Sequence, residues 1–595
     1  MNTLFQNKFI RAIIPVCTIL FFLSCQKDIS NDDGSNPGQV ADLTTKVNSS
    51  VSGFVTDEND AAVLGANVTV AGIPTTTDKY GFFEVKNVQV VKNAAMVTVT
   101  QPGYFKGIKT YIATENKAAF FRIKLIPKTN VGTINGGSGG SVTLTNGLIV
   151  ALPANGVVTV GSGAAYTGTV SVAAHWIDPT AGDLNQTMPG DLRGIATDGT
   201  LKTLTTYGMA AVELTGASGE LLQIATGKKA TLTLTIPASI QGTAPATIPL
   251  WSFDETNGLW KQEGEATKTG NTYVGEVSHF SFWNCDVPAN YVHFDCTIKD
   301  QAGNPIPYSW VKITVVGSNS VGYGWTDSSG YVGGAVPGSA QLLMEVYTYY
   351  NCGVPVYSQN FSTTNVNISL GTILVPNTSS VATISGTVTD CNNNPVTNGR
   401  IIVQQNGGNY YNIYPVSNTG TFSFTTLLCN GNGAVTIVAE DMTGAQQSNS
   451  VSITLVAGAN VLGNLQACGI TTQEFITYSI DGGTTNTNLT SPADSMYHSG
   501  NGTSLQSSIY GYSPVNPNSE VNFSFTNAGI GVGTTQNLLS FYSIGTGQGT
   551  TTGTVTITEY GAVGQFISGN ITGTVINTVP TTFNIVCSFR VRRNF

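Results

Sequence analysis

The stretch Thr75–Val85, TTTDKYGFFEV, holds a Thr-Asp pair, two further residues, a glycine and then aromatics. It returns as WTDSSGYVGG at Trp325–Gly334 and, blurred, as VSNTGTFSF at Val416–Phe424. An Asp or Asn placed two or three residues before a Gly is hairpin chemistry. The side chain caps nearby N–H groups, the glycine takes a positive φ, and the aromatic re-enters the core. A turn used three times in one chain therefore reads as scaffold, not as a site.

Working backwards from each turn exposes a longer unit. Ser50–Val70 (SVSGFVTDENDAAVLGANVTV), His293–Ile313 (HFDCTIKDQAGNPIPYSWVKI) and Thr383–Val403 (TISGTVTDCNNNPVTNGRIIV) each hold an alternating strand ending in an Asp. A polar turn and a second alternating strand follow. The units close on FFRIKLIP, VNISLGTILV and VLGNLQACG. Repeats of ~80–90 residues built from about seven short strands have the size of a β-sandwich.

These residues resemble the transthyretin-like carboxypeptidase regulatory domain. The match rests on Gly53, Val55, Asp57, Gly65, Ala66, Val68, Thr77, Asp78, Gly81 and Phe82 in the first unit. The third keeps Gly386, Val388, Asp390, Gly420 and Phe422 but has Ser417-Asn418 for Thr-Asp, and the second puts Cys296 in place of the leading glycine. The resemblance implies a fold, not a peptidase. In the namesake peptidases the module accompanies a separate catalytic zinc domain, which has no counterpart here.

The rest of the chain is also all-β in pattern. Only 10% of residues are charged, and stretches such as TVSVAAHWI (Thr169–Ile177) and KKATLTLTI (Lys228–Ile236) alternate with period two. At 595 residues several cores are expected. The expected organisation is a leader over 1–24, a polar tether over 25–48, modules over 49–128, 289–377 and 378–469, a larger β-rich domain over 129–288, and a terminal β domain over 470–595. The markers of 129–288, among them GGSGGSVTL, MPGDL and the hairpin around Asp254–Gly258, resemble the β-rich segment beside similar modules in cartilage intermediate layer proteins.

The amino terminus suggests an address. Lys8 and Arg11 precede an apolar run over Ala12–Leu23 that stops at Ser24-Cys25. That run is too short for a ~30 Å hydrocarbon core, which takes about 20 helical residues, and reads as an export signal. Cys25 is then the expected lipid-attachment residue, with Phe22 and Leu23 in the upstream positions of the lipobox. Acidic residues in the following QKDISNDDGSNPGQ resemble the surface-export signal of Bacteroidota lipoproteins. The expectation is an outer-membrane protein, lipid-anchored and facing the cell exterior. A net charge of −9 without a basic stripe argues against a nucleic-acid partner.

Seven cysteines lie beyond Cys25, and none forms a CxxC pair. The histidines are scattered, so no zinc site is expected and no cofactor is implied. In an exported chain one disulfide is expected among Cys391, Cys429 and Cys468, with three pairings open. GGSGG at Gly136–Gly140 satisfies G-x-S-x-G but lacks the helix a nucleophile elbow needs. DCNNNP at Asp390–Pro395 opens like a calcium loop, yet Pro395 and Ile401 stand where Gly and Glu are required. His279, among core-type aromatics, reads as structural.

The second module is dense in rings. Trp310, Tyr323, Trp325, Tyr347 and Tyr349 fall at i,i+2 spacings with one another or with Tyr308, which puts each pair on one sheet face. Such rows could display a face to a glycan or a protein, or pack as core. Three functions follow as expectations. The first is a non-enzymatic surface protein displaying a binding or adhesive surface. The second is an accessory glycan-binding lipoprotein in polysaccharide capture. The third is a hydrolase within 129–288 or 470–595.

Overall fold

The three repeated turns have one structure. Asp78 Oδ1 accepts from the N–H groups of Tyr80 and Phe82, and Asp327 Oδ1 from those of Ser329 and Tyr331. In the third copy Ser417 Oγ takes the same two bonds, from Thr419 and Thr421. Gly81, Gly330 and Gly420 have φ of 72°, 76° and 76°. A Cβ at Gly330 would stand 2.3 Å from the Ile298 carbonyl oxygen, so both conformation and space demand glycine.

In this computed structural model, residues 41–595 are described, apart from 319, 349–351, 377–379, 406–407, 430–432, 482–486, 492–493, 501–504, 515, 517–518, 562–565 and 594–595. The protein is all-β. Each turn feeds a two-sheet module. In the first, a three-stranded sheet runs in the order Phe82–Val91, Lys46–Thr56, Lys117–Lys124, and a four-stranded one Ile73–Thr76, Asn67–Val70, Ala95–Thr100, Gly107–Tyr111. The second repeats both orders, with Tyr331–Pro337, Tyr291–Lys299, Ile368–Leu374 facing Val321–Trp325, Trp310–Val315, Gln341–Tyr347, Tyr357–Ser362. The third keeps the first sheet as Thr421–Leu427, Val381–Thr389, Gly458–Gln466 and enlarges the second to six strands. In all three, the first strand pairs parallel with the last.

Residues 130–289 form one 13-stranded sheet system around a core that includes Trp283, Tyr273 and Leu250. GGSGG lies in the tight turn between Asn130–Asn135 and Gly140–Thr143, where Asn135 Oδ1 accepts from the Ser138 N–H and hydroxyl. The hairpin at Asp254–Gly258 closes as its sequence suggests, with Gly258 N–H donating to the Asp254 carbonyl. The terminal domain is a single nine-stranded sheet enclosing Phe523, Phe525, Phe541 and Phe589 on one face.

Although the large domain separates the first module from the second in sequence, the three modules share a core. The outer face of the first module's small sheet carries Phe54, Phe82 and Phe120, where the second module has Thr297, Tyr331 and Ser369 and the third Thr387, Thr421 and Val461. These rings require cover. Phe54 and Phe120 join Tyr308, Trp310, Trp325 and Tyr347 of the second module and Ile401, Tyr414 and Phe424 of the third in one apolar cluster.

Candidate functional site: the junction of the modules

The aromatic row of the second module lies in this junction. Trp310, Trp325 and Tyr347 are only 5%, 7% and 8% exposed, which corrects the expectation of a displayed face at these positions. Period-two spacing did place them together on one face, but the first and third modules cover it. Tyr323 is half-buried and stacks on Trp310, centroids 5.0 Å apart and planes within 9°. Tyr349, like Cys25, lies outside the described residues.

One cation sits among these rings. Arg122, 6% exposed, comes from the first module's last strand. Its guanidinium lies 3.5 Å from the centroid of Tyr410 and 4.8 Å from that of Phe54, and it donates to the Tyr411 carbonyl and Asn412 Oδ1 at 2.8 and 2.7 Å. A buried guanidinium needs such donors' partners and π faces to offset its desolvation. Arg122 thereby ties the first module to the third.

The repeated turn of the first module makes a second tie. Its capping loop carries Lys79 and Tyr80 onto the third module, where Glu440 accepts from Lys79 Nζ at 2.6 Å, Arg400 Nε at 2.8 Å and Tyr80 Oη at 3.1 Å. Arg400 also reaches Asp78 at 2.7 Å. Burial would raise the Glu440 carboxyl, but Arg400 and Lys79 overcome it and hold the group at about 2. Sequence reading gave the turn a scaffold role and did not find this latch. The available signal was three charged side chains, Asp78, Lys79 and Arg122, beside outward rings in a chain otherwise poor in charge.

A cleft of about 190 Å³ opens where the first module, the large domain and the second module meet. Tyr111, Phe121, Tyr323, Trp325, Tyr331 and Asp191 are among its walls. Tyr331 Oη bonds Thr114 Oγ1 at 3.0 Å across it, and the Trp325 indole N–H has no hydrogen-bond partner among the described residues. Ring faces with a few polar groups at a domain boundary are the usual make-up of a small-ligand site. A second hollow, of about 550 Å³ between the first module and the large domain, is bridged by Lys128–Glu213 at 2.9 Å and by Lys106–Glu255.

His279 lies elsewhere, on the large domain. Its Nε2 meets Glu263 Oε2 at 2.9 Å, its ring packs on Trp283, and its carbonyl accepts the Trp283 indole N–H. Ser252 Oγ also donates to Glu263 Oε2. Here the carboxylate stands between serine and histidine, whereas a nucleophilic triad needs the imidazole there.

The cysteines form two bridges. Cys391–Cys468 closes the third module, while Cys429 reaches beyond the expected trio to Cys352 of the second. Cys285, Cys296 and Cys587 are buried free thiols.

No family model matches this chain. Human cartilage intermediate layer protein 2 is 31% identical over 139 residues, 21% of this chain and 12% of that protein. The mouse protein of the same name is 33% identical over 108 residues, 18% of this chain and 9% of its own length. The chain thus spans about an eighth or less of these relatives. Among solved structures, the shaft pilin SpaA of Lactobacillus rhamnosus GG aligns over 30% of this chain and 98% of its own, at 12% identity and a TM-score of 0.17. BcpA, the major pilin subunit of Bacillus cereus, aligns over 71% and 100%, at 10% identity and a TM-score of 0.12. Scores this low carry no argument about function.

Proposed function

We propose that this chain is a non-enzymatic, surface-displayed binding or adhesion protein, lipid-anchored through Cys25 in the outer membrane and facing outward. The observation that carries the reading is the junction itself. Buried rings, Arg122, the Glu440 latch and the Cys352–Cys429 bridge fix three modules as one body. Construction of that kind suits a protein that must hold a surface in place outside the cell. The Ser252, Glu263 and His279 arrangement supports the non-enzymatic reading over a hydrolase in 129–288.

The cleft favours a glycan as the ligand. Tyr323 and Tyr331 line the cleft with ring surface of the kind that packs on a single hydroxylated ring. A glycan-array screen of residues 41–595 tests this, with Tyr323→Ala as the control expected to lose at least tenfold in affinity. Palmitate labelling of cells carrying Cys25→Ser tests the anchor. Label retained by that variant overturns lipidation at Cys25, and array binding that ignores Tyr323→Ala overturns the cleft.

A further inference from the structure

Each module begins and ends on neighbouring parallel strands. In the first, Lys46–Thr56 lies beside Lys117–Lys124 with pairs from Ser49↔Lys117 to Thr56↔Lys124. In the second the pairs run from Phe294↔Ile368 to Lys299↔Leu374, and in the third from Ala382↔Gly458 to Thr389↔Gln466. The chain therefore enters at one end of a ladder and leaves at the other. A pull on the two ends slides the strands along each other and loads the bridging hydrogen bonds together.

The terminal domain is wired the opposite way. Its first strand, Phe475–Ile480, and its last, Thr582–Arg592, are antiparallel neighbours, with Phe475 opposite Arg590 and Ile480 opposite Ile585. Both chain ends leave from the same edge, so a pull opens that ladder one bond at a time.

The disulfides reinforce the clamps. Cys391 and Cys468 lie just beyond the ends of the parallel strands Val381–Thr389 and Gly458–Gln466. Tension entering the third module runs down its first strand, crosses the bridge and leaves, bypassing the intervening fold. Cys352–Cys429 adds a second route. The bridges interleave, and both span 77 residues. Consequently Cys352 precedes Cys391 by 39 residues and Cys429 precedes Cys468 by 39, so the two routes from Cys352 to Cys468 are of equal length. Two equal arms become taut together.

We infer that the modules are load-bearing clamps in a tensioned tether, with the third covalently braced. This rests on the reading that the chain is anchored near its amino terminus and engages a partner farther along. The mechanical property is testable without any ligand.

Single-molecule force spectroscopy on residues 41–595, held by the two ends, provides the test. Under oxidising conditions the terminal domain should open first, and the modules should resist to about twofold or more higher force, because shear loads a whole ladder at once. The segment Cys352–Cys468 should lengthen to no more than about 140 Å, set by one 39-residue arm at ~3.5 Å per residue. In reductant the full segment should reach about 400 Å. Removing one bridge, by Cys391→Ser with Cys468→Ser, should leave the short length unchanged, since the other route has the same span. Removing both should release the long one. Modules that yield at or below the force that opens the terminal domain, or a length that ignores reductant, overturn the inference. A blank glycan array leaves it intact, and a reversed force order leaves the binding reading intact.

Discussion

Replacing Glu440 by Gln keeps the shape of the latch and removes its charge. The carboxylate serves Lys79, Arg400 and Tyr80 at 2.6, 2.8 and 3.1 Å, with its side chain 4% exposed. Arg400 retains Asp78, but Lys79 is left in a buried site with only neutral partners, Gln447 and the substituted amide. Removing one partner of a buried ion pair costs about 3–5 kcal/mol. The depressed pKa of the carboxyl gives a figure of similar size. Glu440 falls from its ordinary 4.5 to about 2 in the folded protein, which corresponds to about 3 kcal/mol. Because the folded value is depressed, this stability is fully present above pH 4.5 and is lost as pH falls toward 2. Calorimetry of residues 41–595 at pH 7 should therefore show the module transition of Glu440→Gln lowered by about 10 °C. The gap from the parent should narrow between pH 4.5 and 2. A variant that melts within a degree of the parent at pH 7, or a gap that is unchanged at pH 2, would refute the latch as an energetic tie.

Trp310→Ala and Trp325→Ala should each cost about 3–5 kcal/mol, as a deletion from packed core does, whereas half-buried Tyr323→Ala should cost clearly less; equal melting curves for the three variants would return the row to the surface. Gly330→Val should destabilise the second module by roughly 1–3 kcal/mol through its φ alone, with the clash against the Ile298 carbonyl adding to it, and a melting temperature equal to the parent's would contradict that geometry.

The repeated turn was legible because its chemistry is local. Asp78, Asp327 and Ser417 bond N–H groups two and four residues on, so a short string of letters determines the shape. The rings of Trp310, Trp325 and Tyr347 were legible only in part. Spacing says that they share a face, but not what lies against it, and here the cover comes from Phe54, Phe120 and Tyr410, far away in the chain. Arg122 stands in FFRIK as an ordinary outward charge, and nothing beside it names Asn412 as its acceptor. Cys429 posed the same difficulty. Its partner Cys352 belongs to another module, and module boundaries drawn from sequence lead away from that pairing.

The aromatic face of the first module also sets a timetable. Phe54, Phe82, Phe120 and Arg122 are made early, yet their cover lies in the second and third modules, beyond the entire large domain. During synthesis the first module can complete its own two sheets while this greasy side stays uncovered. Only when the strand carrying Glu440 has followed can the patch be closed. A newly made chain therefore passes through a stage in which it is sticky at its leading end, and any delay in the large domain prolongs that stage.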